Sequence, residues 1–123
     1  MPGFRDSFPI LEVADVRRSL DFYRGLLGFR VTFAHPSEEH PAFVSMELEG
    51  GGKLAIGGPK AEVETGSTAI WLYTDDVDAA FAELTAAGAT VISEPADQPW
   101  GERVASVSDP DGYTVHIGAD QAE

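Results

Sequence analysis

The feature that most constrains this chain is an internal repeat, in which one pattern of residues occurs once in each half. The first copy reads PILEVADVRRSLDFYRGLLGFRVTF and the second reads AIWLYTDDVDAAFAELTAAGATVISE. Asp15 corresponds to Asp76, and Gly28 corresponds to Gly88. A repeat of this kind indicates one supersecondary unit built twice, so it is interpreted before any local pattern.

Each half is predicted to form a β-α-β-β-β unit. A short alternating strand, Ile10–Val13 or Ile70–Thr74, precedes an aspartate in the N-cap position of an amphipathic helix. Gly28 and Gly88 stand where a left-handed helix C-cap is expected. The remaining strands are predicted at FRVTF, AFVSMEL and KLAIG in the first half and at ATVIS, RVASVS and YTVHI in the second. The helix then covers one face of its sheet and leaves the other open.

The predicted fold class is α+β. Two βαβββ repeats form a curved mixed sheet with the helices outside and a concave cleft inside. We predict a single domain over residues 1–123, with repeat one at about 5–58, a Gly- and Pro-containing linker at about 57–67 and repeat two at about 68–119. The glycine-rich stretch EGGGKLAIGG lacks the Lys-Ser/Thr ending of a phosphate-binding loop and is predicted to be a hairpin.

The charge balance limits the classes of partner. The chain has 8 Lys and Arg against 21 Asp and Glu, a net charge of −13 at pH 7, and no cysteine. This charge disfavours nucleic acid and anionic membranes and favours a cationic ligand, although an acidic surface also serves solubility alone. The N-terminal segment lacks the layout of a secretory signal, and no apolar run approaches the roughly 20 residues of a membrane span. We therefore expect a cytoplasmic protein with no nucleic-acid and no membrane partner.

The ordered motifs resemble those of the vicinal oxygen chelate superfamily, which includes glyoxalase I, extradiol dioxygenases and bleomycin-resistance proteins. The resemblance covers nearly the whole chain. The matching segments are Val13-Ala14-Asp15, Ser19-Leu20-Asp21-Phe22-Tyr23, Leu27-Gly28-Phe29 and Asp109-Pro110-Asp111-Gly112-Tyr113.

Metal-dependent members of this superfamily place one metal ligand on each of four inward strands. In this chain those positions are occupied by Phe8, Ala55, Ala69 and His116. Only the histidine can coordinate a metal, so no metal, no cofactor and no catalytic residue is predicted. The other donors on hand are Glu12, Glu47, His35, His40 and Glu102. A site rebuilt from them would need a different arrangement from that of the family.

Strand parity instead predicts an aromatic and acidic open face, because side chains two residues apart share a face. The predicted ligand-binding residues are Phe8, Glu12, Phe33, His35, Phe43, Glu47, Trp71, Tyr73, Trp100, Glu102 and His116. Such a set suits a flat, cationic or polar molecule. Two of these residues have alternative interpretations. Trp100 would then cover the end of the sheet or fill a subunit interface, and His116 would be a solvated histidine at a strand end.

This combination is similar to the antibiotic-sequestering branch of the superfamily. The resemblance implies a homodimer in which both chains build each cleft and an N-terminal strand is exchanged; Pro9 fits that exchange and equally an ordinary edge strand. We predict a non-catalytic binding protein that sequesters an antibiotic-like small molecule and confers resistance. The alternative is a metal-free or divergent metal-dependent enzyme of glyoxalase or dioxygenase type, with Glu12, Glu47 and His116 as candidate bases.

Overall fold

The computed structural model describes residues 3–121, and the chain forms two compact units, Met1–Val63 (unit 1) and Glu64–Glu123 (unit 2). The boundary between them falls inside the stretch predicted as the linker. Each unit contains one four-stranded sheet and one helical segment.

Unit 1 has the element order predicted for the first repeat. Its elements are β1 (Ile10–Glu12), α1 (Val16–Leu20) continuing into a π-helical segment (Asp21–Leu26), β2 (Arg30–His35), β3 (Phe43–Glu47) and β4 (Lys53–Gly57). The strands lie in the order β1-β4-β3-β2. β1 runs parallel to β4, and the other neighbours are antiparallel.

Unit 2 repeats this topology. Its elements are β5 (Ala69–Tyr73), α2 (Val77–Ala86), β6 (Thr90–Asp97), β7 (Glu102–Ser108) and β8 (Thr114–Asp120). The strands lie in the order β5-β8-β7-β6, with β5 parallel to β8 and the other pairs antiparallel. The predicted α+β class with two βαβββ repeats is confirmed.

The predicted caps are present in both helices. Oδ1 of Asp15 accepts a hydrogen bond from Arg18 N at 3.1 Å, and Oδ1 of Asp76 accepts one from Ala79 N at 3.1 Å. Each satisfies a backbone N–H of the first turn that has no partner within the helix. Gly28 and Gly88 have φ values of +85° and +98°, the left-handed conformation that ends the helix.

The first helix differs from the predicted regular helix, because its second part is a π-helix. This π-helical segment contains the Phe22-Tyr23 pair, whose side chains are 5% and 0% exposed. Tyr23 makes edge contacts with Phe22 and Phe29, with ring centroids 5.1 and 5.9 Å apart. Two adjacent large rings are thus buried in unit 1.

Two strands extend further than predicted. β6 continues to Asp97 and includes Pro95, and β2 continues to His35, which was predicted to lie in a loop. β6 is an edge strand whose pairing shifts register on both sides of Ser93. An edge strand with bulges tolerates proline, because the missing N–H is not needed by a second neighbour.

One face of each sheet is buried beneath its helix. In unit 1 the buried strand residues include Leu11, Val44, Met46, Leu54 and Ile56; in unit 2 they include Ala105, Val107, Val115 and Ile117. The alternate residues, which include most of the predicted ligand set, therefore lie on the other face of each sheet. Within residues 3–121, no helix has the length and apolar character to cross a bilayer.

The turn between β7 and β8 is organised by one buried carboxylate. Oδ1 of Asp109, a residue 4% exposed, accepts hydrogen bonds from the backbone N–H groups of Asp111, Gly112 and Tyr113, each at 2.9 Å. Gly112 has a φ of +105°, a conformation that suits glycine. The turn pairs Ser108 with Thr114 and so sets the register of the two central strands.

We expect Asp109→Ala to lower the free energy of unfolding by about 1–3 kcal/mol, because it removes the carboxylate that accepts hydrogen bonds from three backbone N–H groups of the turn. Urea denaturation followed by circular dichroism measures the change. Asp75→Ala is the matched control, because Asp75 is exposed. Equal stability of the two variants would show that the Asp109 carboxylate does not hold the turn.

Candidate functional site

A row of side chains crosses the open face of the unit 2 sheet at its centre. The register places Trp71 beside His116, and His116 beside Ser106. The Trp71 and His116 rings lie 5.5 Å apart between centroids, and Ser106 Oγ is 2.7 Å from Nδ1 of His116. The sequence prediction that Trp71 and His116 share this face is consistent with the register, and the contact with Ser106 was not predicted.

Gly118 allows the Trp71 indole to lie close against the sheet. A Cβ atom at residue 118 would come within 2.8 Å of Trp71 Cζ2 and 3.2 Å of Nε1, closer than side chains tolerate. Trp71 remains 40% exposed in this position. The glycine thus provides the space for a large flat ring whose outer surface stays accessible.

Glu102 connects two further aromatic residues. Its Oε1 accepts a hydrogen bond from Trp100 Nε1 at 2.6 Å. A hydrogen bond with Glu102, followed by loss of hydration and the charge of the same carboxylate, raises the pKa of the Tyr73 phenol above its ordinary value of 10.0. Tyr73 also contacts Trp71, with centroids 6.0 Å apart. We refer to Trp71, Tyr73, Trp100 and His116 as the aromatic surface of unit 2.

The loop that carries Trp100 is anchored by the backbone around it. Gln98 N donates to Glu102 O at 2.7 Å, and Gln121 Nε2 donates to Gln98 O at 2.8 Å. Trp100 is nevertheless 61% exposed. A large aromatic side chain held in a defined loop but left accessible is typical of a contact surface rather than of a core.

The negative charge of the chain is concentrated in unit 2. Residues 64–123 contain twelve Asp and Glu and one basic residue, Arg103, whereas residues 1–63 contain nine acidic and seven basic residues. Arg103 donates two hydrogen bonds to Asp78, at 2.8 and 2.9 Å, and one to Asp97 at 3.1 Å. The hydrogen bonds from the guanidinium lower the pKa of Asp78. The aromatic surface therefore belongs to a unit whose only basic Lys or Arg side chain is already paired.

The open face of unit 1 carries a second aromatic group. Phe33 stacks on His35 with ring centroids 6.5 Å apart and an interplanar angle of 12°, and it contacts Phe43 at 6.4 Å. Register places Glu12 in the same row as Phe43 and His35, through Gly57. Phe8 precedes β1 and is 41% exposed.

The two predicted carboxylates of unit 1 are both in ion pairs. Glu12 Oε2 lies 2.5 Å from Lys60 Nζ, and Glu47 Oε1 is paired with the Arg30 guanidinium. Exposed ion pairs of this kind contribute little stability, so a cationic ligand could replace the basic partner. The negative charge that the sequence suggested for this face is thus compensated within unit 1.

The donor set does not fit the metal site of the superfamily. Three of the four positions that the motif resemblance assigns to metal ligands hold Phe8, Ala55 and Ala69, which offer no N or O side-chain donor, and Ala55 is fully buried. Across residues 3–121, no three His, Asp or Glu side chains are grouped so that they could hold a metal ion. His40 lies in an exposed turn, where its backbone N–H donates to Ser37 Oγ.

Unit 1 also contains a groove that the sequence did not predict. It has a volume of 520 Å³ and lies between the start of α1 and the β2–β3 connection, with Val16, Arg17, His40 and Pro41 in its lining. None of the predicted ligand-binding residues lines it. The homodimer with shared clefts stays a prediction.

Ser106, Gly118 and Gln121 are the residues of the unit 2 surface that sequence reasoning missed. Ser106 could have been found by counting outward from the Asp109 turn, since pairing of Ser108 with Thr114 pairs Ser106 with His116. No comparable sequence pattern indicates Gly118 or Gln121, because their roles depend on the positions of the Trp71 indole and of the loop that carries Trp100.

Comparison with known proteins gives consistent matches. The model of the Glyoxalase/Bleomycin resistance protein/Dioxygenase superfamily matches residues 9–117. A Mycobacterium tuberculosis protein named "Putative glyoxylase CFP32" is 35% identical over 102 residues, which are 80% of this chain and 38% of that protein. The chain thus spans well under half the length of this curated relative.

Two solved structures share the fold along nearly the whole chain. TnmS3, an antibiotic binding protein from Streptomyces sp. CB03234, has a TM-score of 0.78 and 29% identity and covers 98% of this chain and 99% of its own. TioX from Micromonospora sp. ML1 has a TM-score of 0.74 and 24% identity and covers 97% and 98%. The likeness to TioX concerns the fold alone.

We expect Glu102→Gln to lower the pKa of Tyr73 toward 10.0, because it removes the carboxylate that favours the protonated phenol. The stabilisation from this pair is present below that ordinary value and is lost as the pH rises through the higher pKa of the folded protein. Residue-specific ¹³C NMR titration of the tyrosine Cζ atoms measures the shift. Asp120→Asn serves as control, because Asp120 is the weakest of the contributing groups. An unchanged Tyr73 titration in Glu102→Gln would contradict the contact.

We expect Gly118→Ala to displace the Trp71 ring, because the added Cβ would overlap Cζ2. Near-UV circular dichroism should change, and nuclear Overhauser contacts between Trp71 and His116 should weaken. Gly57→Ala is the matched control, because Gly57 ends the corresponding strand of unit 1 and an added Cβ there meets its neighbours at no less than 3.7 Å. Identical spectra for Gly118→Ala and wild type would show that the indole does not rest on residue 118.

Proposed function

The chain belongs to the Glyoxalase/Bleomycin resistance protein/Dioxygenase superfamily, and within it we propose that the chain is a non-catalytic protein that sequesters a planar, cationic antibiotic or a similar small molecule. Resistance follows by mass action, since binding lowers the concentration of free drug. The drug is not altered, and dissociation releases it unchanged.

The observation that carries this proposal is the aromatic surface of unit 2. Trp71, Tyr73 and Trp100 are 40%, 70% and 61% exposed, although each makes a defined contact with a neighbour. Holding these rings in place before binding reduces the entropy lost when a ligand stacks on them. The excess of acidic residues in the same unit favours a positive charge on that ligand.

The energies suit binding without a covalent step. Stacking contributes about 0.5–1.5 kcal/mol for each contact beyond area burial, and a cation over a ring contributes about 0.5–2 kcal/mol. Burial of roughly 200 Å² of apolar surface adds about 5 kcal/mol. Two or three contacts therefore approach the 8 kcal/mol, roughly, that corresponds to micromolar affinity.

The similarity to TnmS3 supports the same class of function, since that protein is described as antibiotic binding and matches nearly all of this chain. The fold by itself does not select a function in this superfamily. The support comes from the combination of that likeness with exposed aromatic side chains and with non-coordinating residues at the family's metal positions.

A metal-free enzyme is the second candidate, and one observation favours it. The mycobacterial relative carries the name "Putative glyoxylase CFP32", and the imidazole of His116 lies on the open face next to Trp71. Such an enzyme would use His116 as general base toward a substrate proton. Mass spectrometry of the ligand after incubation with the protein separates this candidate from sequestration. An enzyme converts the ligand, whereas sequestration returns it unchanged.

The proposal is tested by titrating the protein with metal-free bleomycin and a series of planar cationic antibiotics, in the presence of chelator, with tryptophan fluorescence as the readout. We expect saturable quenching at micromolar concentration or below for at least one compound. Trp100→Ala should weaken the binding about fivefold, since loss of one stacking contact costs about 1 kcal/mol.

Val91→Ala is the matched control. Val91 is also a partly exposed apolar residue of unit 2, but it pairs with the fully buried Val107 and so lies on the helix-covered face. Its substitution should leave the affinity unchanged. Absence of quenching by every compound, or an equal loss in Val91→Ala and Trp100→Ala, would contradict binding on the aromatic surface.

A further inference from the structure

The hydrogen bond between Ser106 and His116 can run in either direction, and the burial of Ser106 favours one of them. Ser106 Oγ lies 2.7 Å from Nδ1 of His116, and Ser106 is only 4% exposed. A serine hydroxyl carries one proton, and a buried hydroxyl must place that proton on an acceptor. In the part of the chain that the structure describes, Nδ1 of His116 is the acceptor within reach of this hydroxyl.

Donation from Ser106 to Nδ1 fixes the state of the neutral imidazole. An imidazole nitrogen that accepts a hydrogen bond carries no proton, so the proton of the ring resides on Nε2. The opposite assignment, with Nδ1–H donating to Oγ, would leave the hydroxyl proton without a protein acceptor in a residue that is only 4% exposed.

Nε2 of His116 is then a donor available to a ligand. No buried side-chain nitrogen or oxygen in residues 3–121 lacks a partner, and no protein partner of Nε2 occurs among those residues, so this nitrogen is accessible. It lies on the ring that contacts Trp71, at the middle of the open sheet face. A planar ligand stacked on the indole would meet this N–H at its edge.

We propose that Ser106 is a specificity-determining positioning residue, which holds His116 as an Nε2–H donor and thereby selects planar ligands that carry a carbonyl oxygen at the ring edge. This inference rests on the proposed function and names the chemistry of its ligand. Ser106 acts through His116 rather than by contact with the ligand, because the residue is only 4% exposed.

The same assignment separates the two candidate functions. A general base needs an unprotonated nitrogen that faces the substrate. In this arrangement the unprotonated nitrogen of His116 is occupied by Ser106, and the accessible nitrogen carries the proton. His116 is therefore suited to recognition of an acceptor rather than to abstraction of a proton.

The tautomer is tested first, without any ligand. Long-range ¹H–¹⁵N NMR of the full chain, at a pH where the His116 ring is neutral, distinguishes Nε2–H from Nδ1–H by the ¹⁵N shifts. We expect Nε2–H in the wild type, a mixture of tautomers in Ser106→Ala and return to Nε2–H in Ser106→Thr, which restores a hydroxyl. A predominant Nδ1–H form in the wild type would overturn the inference, and that measurement needs no variant to fold.

The ligand chemistry is tested with two probes that differ by one carbonyl group, 2-(aminomethyl)fluoren-9-one and 2-(aminomethyl)fluorene. Both are flat and cationic. We expect the wild type to bind the ketone about tenfold more tightly, the difference that one hydrogen bond makes, and Ser106→Ala to reduce this ratio to about twofold. A ratio that is near one in the wild type, or that is unchanged in Ser106→Ala, would overturn the inference.

The failures of the two proposals are distinguishable. If both probes bind equally well, planar cation binding is supported and the selection of a carbonyl by Ser106 and His116 is overturned. If neither probe binds although NMR shows the Nε2–H tautomer, binding of planar cations and selection of a carbonyl fall together, and the effect of Ser106 on the ring is retained.

Discussion

Burial of one sheet face beneath its helix is the constraint on which the rest of the structure depends. Side chains of a strand alternate between faces, so fixing Val115 and Ile117 in the core of unit 2 necessarily places His116 on the other face. A slip of one residue would exchange these sets, so that His116 would be buried and Val115 and Ile117 would be exposed. The Asp109 turn opposes such a slip, because its three backbone hydrogen bonds fix where β8 begins.

The same topology carries two surfaces of different chemistry. On unit 1 the carboxylates of Glu12 and Glu47 are paired with Lys60 and Arg30, and the aromatic group around Phe33 belongs to a nearly charge-balanced unit. In unit 2 the single arginine is hydrogen-bonded to two aspartates, so it does not neutralise the remaining carboxylates. Most of the net negative charge of the chain, −11 of −13, therefore belongs to unit 2, and a positively charged molecule would be attracted mainly to the unit that presents Trp71 and Trp100.

The fold was predictable because its signals are local and occur twice. Caps at Asp15 and Asp76, glycines with positive φ at residues 28 and 88 and strands of period two each follow from a few adjacent residues. The π-helical turn was not predicted, because the spacing of apolar residues in this segment indicates a regular helix. The site followed the same division. Strand parity predicted that Trp71 and Tyr73 share the open face. It does not specify side-chain positions, and three features of the site depend on them: the close approach of the indole to Gly118, the anchoring of the Trp100 loop by Gln121 and the ion pairs of Glu12 and Glu47.

The identity of the four residues at the family's metal positions explains how one fold serves both metal chemistry and simple binding. Phenylalanine and alanine at residues 8, 55 and 69 remove three donors, and a single histidine does not hold a divalent ion in a defined geometry. The remaining His116 would then be free to take any tautomer, were it not for the buried hydroxyl of Ser106 beside Nδ1. Ser106, whose Oγ lies beside Nδ1, is the residue that we propose to orient the imidazole. Under that proposal, the selectivity of a site without the metal ligands resides in one oriented N–H and in the aromatic rings around it.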